Sequence, residues 1–409
     1  MKAIQFTDNI PRYLLTKALG PSFPGMYTGP LSLLRYREVP EPVLPGPRWV
    51  RIRVKYGGIC GSDLELVRLA DSHSTSPFAS FPFTVGHENV GTIAEVGLGV
   101  RAFQVGDRVV ADPLLPCAAR EISPPCPACQ RGDYSLCQNF QAGPLAPGLE
   151  IGTCRDTGGS WSSCFVAHET QLFKIPAGVT DENAVMVDPF CSALHAVARN
   201  RPRDIDTVLV QGAGTIGLSA ILALRALGTK ARIIALARHK FQGQLAIELG
   251  ANEVVYTTPE GDYFEELAML LGSKLYKPIL GKRIMVGGAD LVYECVGSDS
   301  SIDEALRFTQ SGGTMVLVGL AAVPKGVDWT PIWFNEVRVQ GSFCCSSEEI
   351  DGRRVRTYEV ALKWLAEGRV DLARLLTHKF KLKDYRRAIR VSMQKARSKA
   401  VKTVFILER

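Results

Sequence analysis

The 409-residue chain carries 48 Lys and Arg against 41 Asp and Glu, a formal net charge of +7, and 46% of its residues are hydrophobic. That length exceeds one ordinary core and predicts two domains of roughly 150 to 200 residues. The mild, scattered charge argues against a nucleic-acid binder, and the longest apolar runs, residues 218–224 and 314–323, fall well short of the roughly 18 residues of a membrane span.

In chain order, residues 2–6 predict a strand, and residues 10–34 a surface excursion with one short helix at 12–19. Residues 49–56 alternate Val50, Ile52 and Val54 with Arg51, Arg53 and Lys55, the period of a half-buried strand, and Gly57-Gly58 predicts a turn at its end. Further strands at 91–96, 106–110 and 165–175, punctuated by glycine, indicate an all-β module. The Pro-rich lobe 113–151 has little periodicity and needs something other than a core to hold it. Thr180 opens a predicted helix to Arg199. An N-terminus mixing Lys2 with Gln5, Thr7, Asp8 and Asn9 lacks a signal-peptide pattern, so the cytoplasm is expected.

At Thr207 the texture changes. Buried-looking strands at 207–211, 232–237, 291–295 and 314–319 alternate with helical stretches at 217–227 and 240–249, which argues for a parallel sheet with helices on both faces. The spacer 256–288 is long for one helix and two loops. Helices are expected at 353–368 and 383–393, and a final strand at 401–407.

Gly212-Ala-Gly214-Thr-Ile-Gly217 closes the first of those strands and opens a helix. Gly212 permits the tight turn, Gly214 lets backbone approach a pyrophosphate, and Gly217 lets helix pack close to strand, while the helix N-terminus attracts phosphate. NAD-specific sites usually carry an acid at the end of the second strand. Here Ala237 stands there, followed by Arg238, which favours NADP and leaves NAD possible.

Eleven cysteines, four of them between Cys117 and Cys137, point to metal rather than disulfides. Cys126, Cys129 and Cys137 are zinc ligands by type and spacing, with either Cys117 or Cys154 as the fourth. A second site starts from Cys60 and His87, with Glu88 beside the histidine. Trp161 is read as either a pocket residue or packing; His168, His195, Cys191, Cys344 and Cys345 are read as structural.

Gly58-Ile-Cys-Gly-Ser-Asp63, Gly86-His-Glu88, the cysteine lobe and the late glycine fingerprint, in that order, resemble the zinc-dependent medium-chain alcohol and polyol dehydrogenases over nearly the whole chain. The resemblance implies a doubly wound Rossmann domain at 188–343, and a GroES-like β-rich catalytic domain at 1–187 and 344–409 containing the structural zinc lobe. It also implies two zinc ions per chain and catalysis in the interdomain cleft. By the same resemblance Cys60, His87 and Asp188 hold the catalytic zinc, Glu88 exchanges on and off it, and Asp63 orients His87. Ser62 accepts the alcohol's proton. Glu65 stands where many members carry a relay histidine, and is either its replacement or a surface residue. Thr215 and Ile216 are expected at the pyrophosphate, and Val296, Val318, Gly319 and Leu320 along the nicotinamide. The expected partners are a small alcohol or carbonyl substrate and further copies of the chain, as a homodimer or homotetramer, with neither nucleic acid nor membrane. Rival readings on the same scaffold are a zinc-independent NADPH-dependent carbonyl or enone reductase and a non-catalytic NADPH-binding protein.

Overall fold

The computed structural model describes residues 1–257 and 262–407. The chain divides into two compact units, Met1–Asp188 with Val355–Arg409, and Pro189–Arg354. The return to the first unit, expected at 344, falls at Val355, inside the second strand of a short ribbon, Ser347–Ile350 with Arg353–Arg356.

In the first unit the strand Trp49–Ile59 is the organising element. It pairs antiparallel with Asn89–Val96, Cys164–His168 and Lys402–Ile406 in a seven-stranded sheet. Its alternation is realised: Val50, Ile52 and Val54 enter a core with Ile93, Val109 and Phe165, while Arg53 and Lys55 face solvent. Burying each such aliphatic side chain is worth about 1.5–3 kcal/mol. The turn expected at Gly57-Gly58 does not form, because these residues continue the strand opposite Phe405 and Val404. Their lack of a side chain serves close approach instead: a Cβ on Gly57 would meet the Ser160 carbonyl at 2.3 Å, and one on Gly58 would overlap the Glu88 carboxylate.

The excursion after Phe6 is a helix, Ile10–Leu19, capped by Asn9, whose Oδ1 accepts from the Arg12 amide at 2.9 Å. The helix expected from Thr180 is split into Asp181–Ala184 and Val187–Arg199, and Thr180 caps the first piece by accepting from the Asn183 amide. The helix expected over 353–368 starts only at Thr357, since residues 353–356 are taken by the ribbon.

The second unit is a six-stranded, all-parallel sheet. Its spatial order is Glu253–Tyr256, Arg232–Ala237, Thr207–Gln211, Ala289–Glu294, Thr309–Leu317, Arg338–Gly341. The chain starts in the middle, runs outward to one edge, then crosses back to build the other. The strand order therefore reverses between Thr207–Gln211 and Ala289–Glu294, the switch point where such sheets bind ligands. Val208, Leu209, Val210, Ile233, Ile234 and Val292 are fully buried, as strands covered on both faces require. The long spacer holds a helix, Tyr263–Leu270, and a hairpin, Lys274–Tyr276 with Ile284–Val286; its residues 258–261 lie outside the described residues. No helix among the described residues is long and apolar enough to cross a membrane.

Candidate active site and metal centres

Cys60 ends the central strand and precedes the helix Gly61–Arg68. Asp63, in the first turn, folds back so that its Oδ2 accepts from the Cys60 amide at 2.8 Å, which fixes the backbone carrying the thiol. His87 and Glu88 come from the segment before Asn89–Val96, held by the Gly58 amide donating to the Glu88 carbonyl at 3.0 Å. The ligand atoms of Cys60, His87 and Glu88 all lie within 4.8 Å of one another.

Glu88 is wholly buried, and so is its partner, Lys402 of the C-terminal strand, whose ammonium donates to Oε1. The other oxygen, Oε2, has no hydrogen-bond partner. A buried, unpaired carboxylate oxygen beside a thiol and an imidazole is a fitting donor set for a divalent cation.

Asp188, expected as the third ligand, lies outside that set. Its Oδ1 accepts from the Tyr358 hydroxyl at 2.6 Å, so it stands behind the cluster rather than in it. The Asp63 Oδ1 is 3.8 Å from His87 Nδ1, beyond hydrogen-bond reach, whereas a carboxylate the motifs did not reveal, Glu150, is nearer at 3.5 Å. Burial pushes Glu150 up to about 7 and both Asp63 and Asp188 up to about 6. Burial alone would lower His87, but Glu150 and Asp63 outweigh it and hold its pKa well above the ordinary histidine value. Asp112 completes the acidic surround and pairs with Arg356, which itself stacks over Tyr134, ring centroid 4.3 Å away.

Ser62 is half-buried in the helix after Cys60, and Glu65 lies on the same helix with its carboxylate 3.3 Å from Arg68. Glu65 is therefore placed as a surface ion-pair residue. Trp161, one of the two readings of which was a pocket residue, is fully buried, donates from Nε1 to the Gly58 carbonyl at 2.8 Å and packs edge-on to Phe405. His168 is a buried turn residue, its Nδ1 2.8 Å from the Thr170 hydroxyl. His195 faces Glu348 at 2.6 Å.

The thiols of Cys117, Cys126, Cys129 and Cys137 form a second cluster, again within 4.8 Å. Cys117 and Cys137 are 3.7 Å apart, and amides of Cys126, Gln138 and Asn139 point at the sulfurs. Donated hydrogen bonds, from Cys129 first, lower the Cys137 thiol to about 5, so the cluster is set to hold thiolate. Cys154, the alternative fourth ligand, is instead turned to the Ala146 carbonyl at 3.4 Å. The lobe is also held by Arg120, fully buried, whose guanidinium donates to the carbonyls of Leu115, Ala142, Leu145, Ala146 and Gly148.

In the second unit, Gly212 adopts a φ of +97°, and a Cβ there would meet Val296 at 2.4 Å. A Cβ on Gly217 would lie 2.0 Å from the Gly212 carbonyl oxygen. The helix Thr215–Ala226 starts at Gly214 with no side-chain cap, leaving the amides around Thr215 and Ile216 for an anion. Val296, Val318, Gly319 and Leu320 gather at the ends of the neighbouring strands, where the Val318 and Gly319 amides both donate to the Glu294 carbonyl at 2.9 Å. Ala237 is buried, and Arg238 is exposed with no ion pair among the described residues. The turn, the uncapped helix and the free arginine fit a dinucleotide.

These two sites have counterparts of known kind. Residues 46–177 match the alcohol dehydrogenase GroES-like domain, and residues 215–366 the zinc-binding dehydrogenase domain. The L-idonate 5-dehydrogenase of Vitis vinifera is 32% identical over 89% of this chain and 90% of its own length. The chain belongs to the zinc-dependent medium-chain dehydrogenases. A sorbitol dehydrogenase of Arabidopsis thaliana is also 32% identical, over 82% of each chain. The 2R,3R-butanediol dehydrogenase of Bacillus subtilis superposes with a TM-score of 0.71 at 25% identity, covering 100% of this chain and 99% of that one. As a family member the chain is an oxidoreductase acting on alcohols with a nicotinamide cofactor, on a Rossmann-plus-GroES-like fold.

Motif reasoning missed Glu150, Lys402, Tyr358, Asp112 and Arg356. Lys402 left one trace, a lysine beside Thr403 in an otherwise apolar final strand. Glu150 left none, sitting in a segment without pattern.

Proposed function

We propose that this dehydrogenase oxidises a secondary alcohol or polyol with NADP in preference to NAD, works in the cytoplasm, and reduces the matching carbonyl in reverse. The observation that carries this reading is the Cys60, His87 and Glu88 cluster, with one Glu88 oxygen held by Lys402 and the other unpaired. Cys60, His87 and Glu88 would hold a zinc ion, with Asp188 and its Tyr358 partner behind them. Zinc bound there supplies Lewis-acid stabilisation of an alkoxide or carbonyl oxygen. Ser62, two residues past Cys60, accepts the hydroxyl proton; Asp63 anchors the Cys60 backbone. A second zinc is assigned to Cys117, Cys126, Cys129 and Cys137, where it staples a lobe too poor in apolar side chains to order itself.

The cofactor's pyrophosphate rests on the Gly214, Thr215 and Ile216 backbone, and its nicotinamide lies along Val296 and residues 318–320. Ala237 spares a 2′-phosphate the repulsion of an acid, and the unpaired Arg238 receives it. The edge strand Arg338–Gly341, exposed throughout, with Trp333 and Phe334 exposed close by in sequence, supports self-association into a homodimer or homotetramer. A zinc-free reductase or a non-catalytic binder would give the metal cluster no task.

Metal analysis with an alcohol panel tests the reading. Two zincs per chain and loss of activity in Cys60→Ala are expected; full activity in that variant would overturn it. Light scattering reads the assembly state.

A further inference from the structure

Five carboxylates surround the metal cluster, and four have a donor of their own. Asp63 accepts from the Cys60 amide, Glu88 from Lys402, Asp112 from the Leu114 amide and Arg356, and Asp188 from Tyr358. Glu150 has none among the described residues. Its side chain is 13% exposed, its nearest charged neighbour is the His87 ring at 3.5 Å, and no amide, hydroxyl or cation donates to it. The backbone carrying it is firmly placed: Glu150 bridges to Leu114, the next amide donates to the Pro113 carbonyl at 2.8 Å, and its own carbonyl accepts from the Thr153 hydroxyl at 2.9 Å. A rigid segment therefore delivers an unsatisfied carboxylate beside the metal ligands, an arrangement that is costly unless something else supplies the donor. The Glu88 oxygen finds its missing partner in the metal. Glu150 is outside that ligand set and needs another.

The charge tally gives that partner its character. Cys60 and the five carboxylates face two paired cations, Lys402 and Arg356. Even with a divalent ion in place the surround stays negative, so it attracts hydroxyl donors and repels a second anion. We propose that Glu150 is a specificity-determining residue: it accepts a hydrogen bond from a further hydroxyl of an uncharged polyhydroxy alcohol and turns away the sugar acid or sugar phosphate of the same length. The proposal rests on the alcohol dehydrogenase reading and narrows its substrate class. One like charge about 6 Å away, at an effective dielectric near 20, amounts to roughly a hundredfold in affinity.

The test uses the zinc-loaded enzyme with three pairs of equal carbon number: sorbitol and gluconate, xylitol and xylonate, ribitol and ribonate. Binding is measured by calorimetry with reduced cofactor present, which needs no turnover, and kcat/KM is measured alongside. The wild type should favour the neutral member of each pair by about a hundredfold. Glu150→Gln should shrink that ratio at least tenfold while zinc content holds. Glu150→Asp, which keeps the charge and shortens the reach, should keep rejecting the acids while weakening the polyols. A ratio unchanged in Glu150→Gln, a wild type that binds gluconate as well as sorbitol, or one that binds no member of any pair would overturn the proposal. A variant that loses zinc and both partners of each pair alike would make Glu150 a support for His87 and also overturn it. A wild type that binds the polyols selectively yet oxidises none would sustain the charge filter and sink the dehydrogenase reading.

Discussion

Replacing Lys402 by Met probes the metal site from behind. Lys402 and Glu88 are 3% and 0% exposed, so neither charge has water to fall back on. At roughly 3 Å and an effective dielectric near 20 the gross attraction is about 5 kcal/mol. Removing one member strands the other, at about 3–5 kcal/mol. Urea unfolding of chelator-stripped Lys402→Met should show a loss of that size against stripped wild type. The double variant Lys402→Met with Glu88→Gln should recover a good part of it, since a neutral amide no longer needs a cation. Zinc should rescue the single variant more than the wild type, because Glu88 then has only the metal to satisfy it, and chelator competition should show tighter zinc retention. A single variant that unfolds within about 1 kcal/mol of wild type, or a double variant no better than the single, would refute the reasoning.

Cys137→Ser should lower zinc by one atom per chain in elemental analysis and open residues 113–151 to limited proteolysis. Arg238→Ala should weaken NADP binding by about tenfold or more, the worth of a charge-assisted hydrogen bond, while leaving NAD nearly unchanged in fluorescence titration. Tyr358→Phe removes the donor to Asp188 and should cost about 1.5–3 kcal/mol in stability or the equivalent in kcat/KM. Burial pushes His168 down to about 4, below its unfolded value, so its contribution is complete above about pH 6.5 and disappears as pH falls toward 4. A urea midpoint that falls between pH 7 and pH 4.5 in the wild type should fall less in His168→Asn.

The parts of this molecule that a reader of the sequence can reach share one property: their chemistry is local. The Rossmann half was legible because strand, glycine turn and helix are contiguous, and because the φ of +97° at Gly212 can be inferred from the residue type. The four thiols were legible because three of them sit within one short loop. Where the expectation went astray, a distant segment had intervened. Gly57-Gly58 looked like a turn because glycine usually ends a strand, yet here it extends one, since Glu88 and Ser160 from elsewhere in the chain need the space a side chain would fill.

Asp188 was assigned to the metal by its place beside Pro189. Its role is set by Tyr358, 170 residues away in the chain, which has claimed its oxygen. Glu88 shows the converse. A carboxylate next to a histidine carries no sign of which oxygen is free. That follows only once Lys402, 314 residues later, occupies Oε1 and leaves Oε2 bare. The ligand set thus belongs to the residues whose partners are missing, and a missing partner is a property of the folded chain. The same reasoning separates Glu150 from the four carboxylates around it: all five are buried acids of ordinary type, and only the lack of a donor marks this one as facing the substrate.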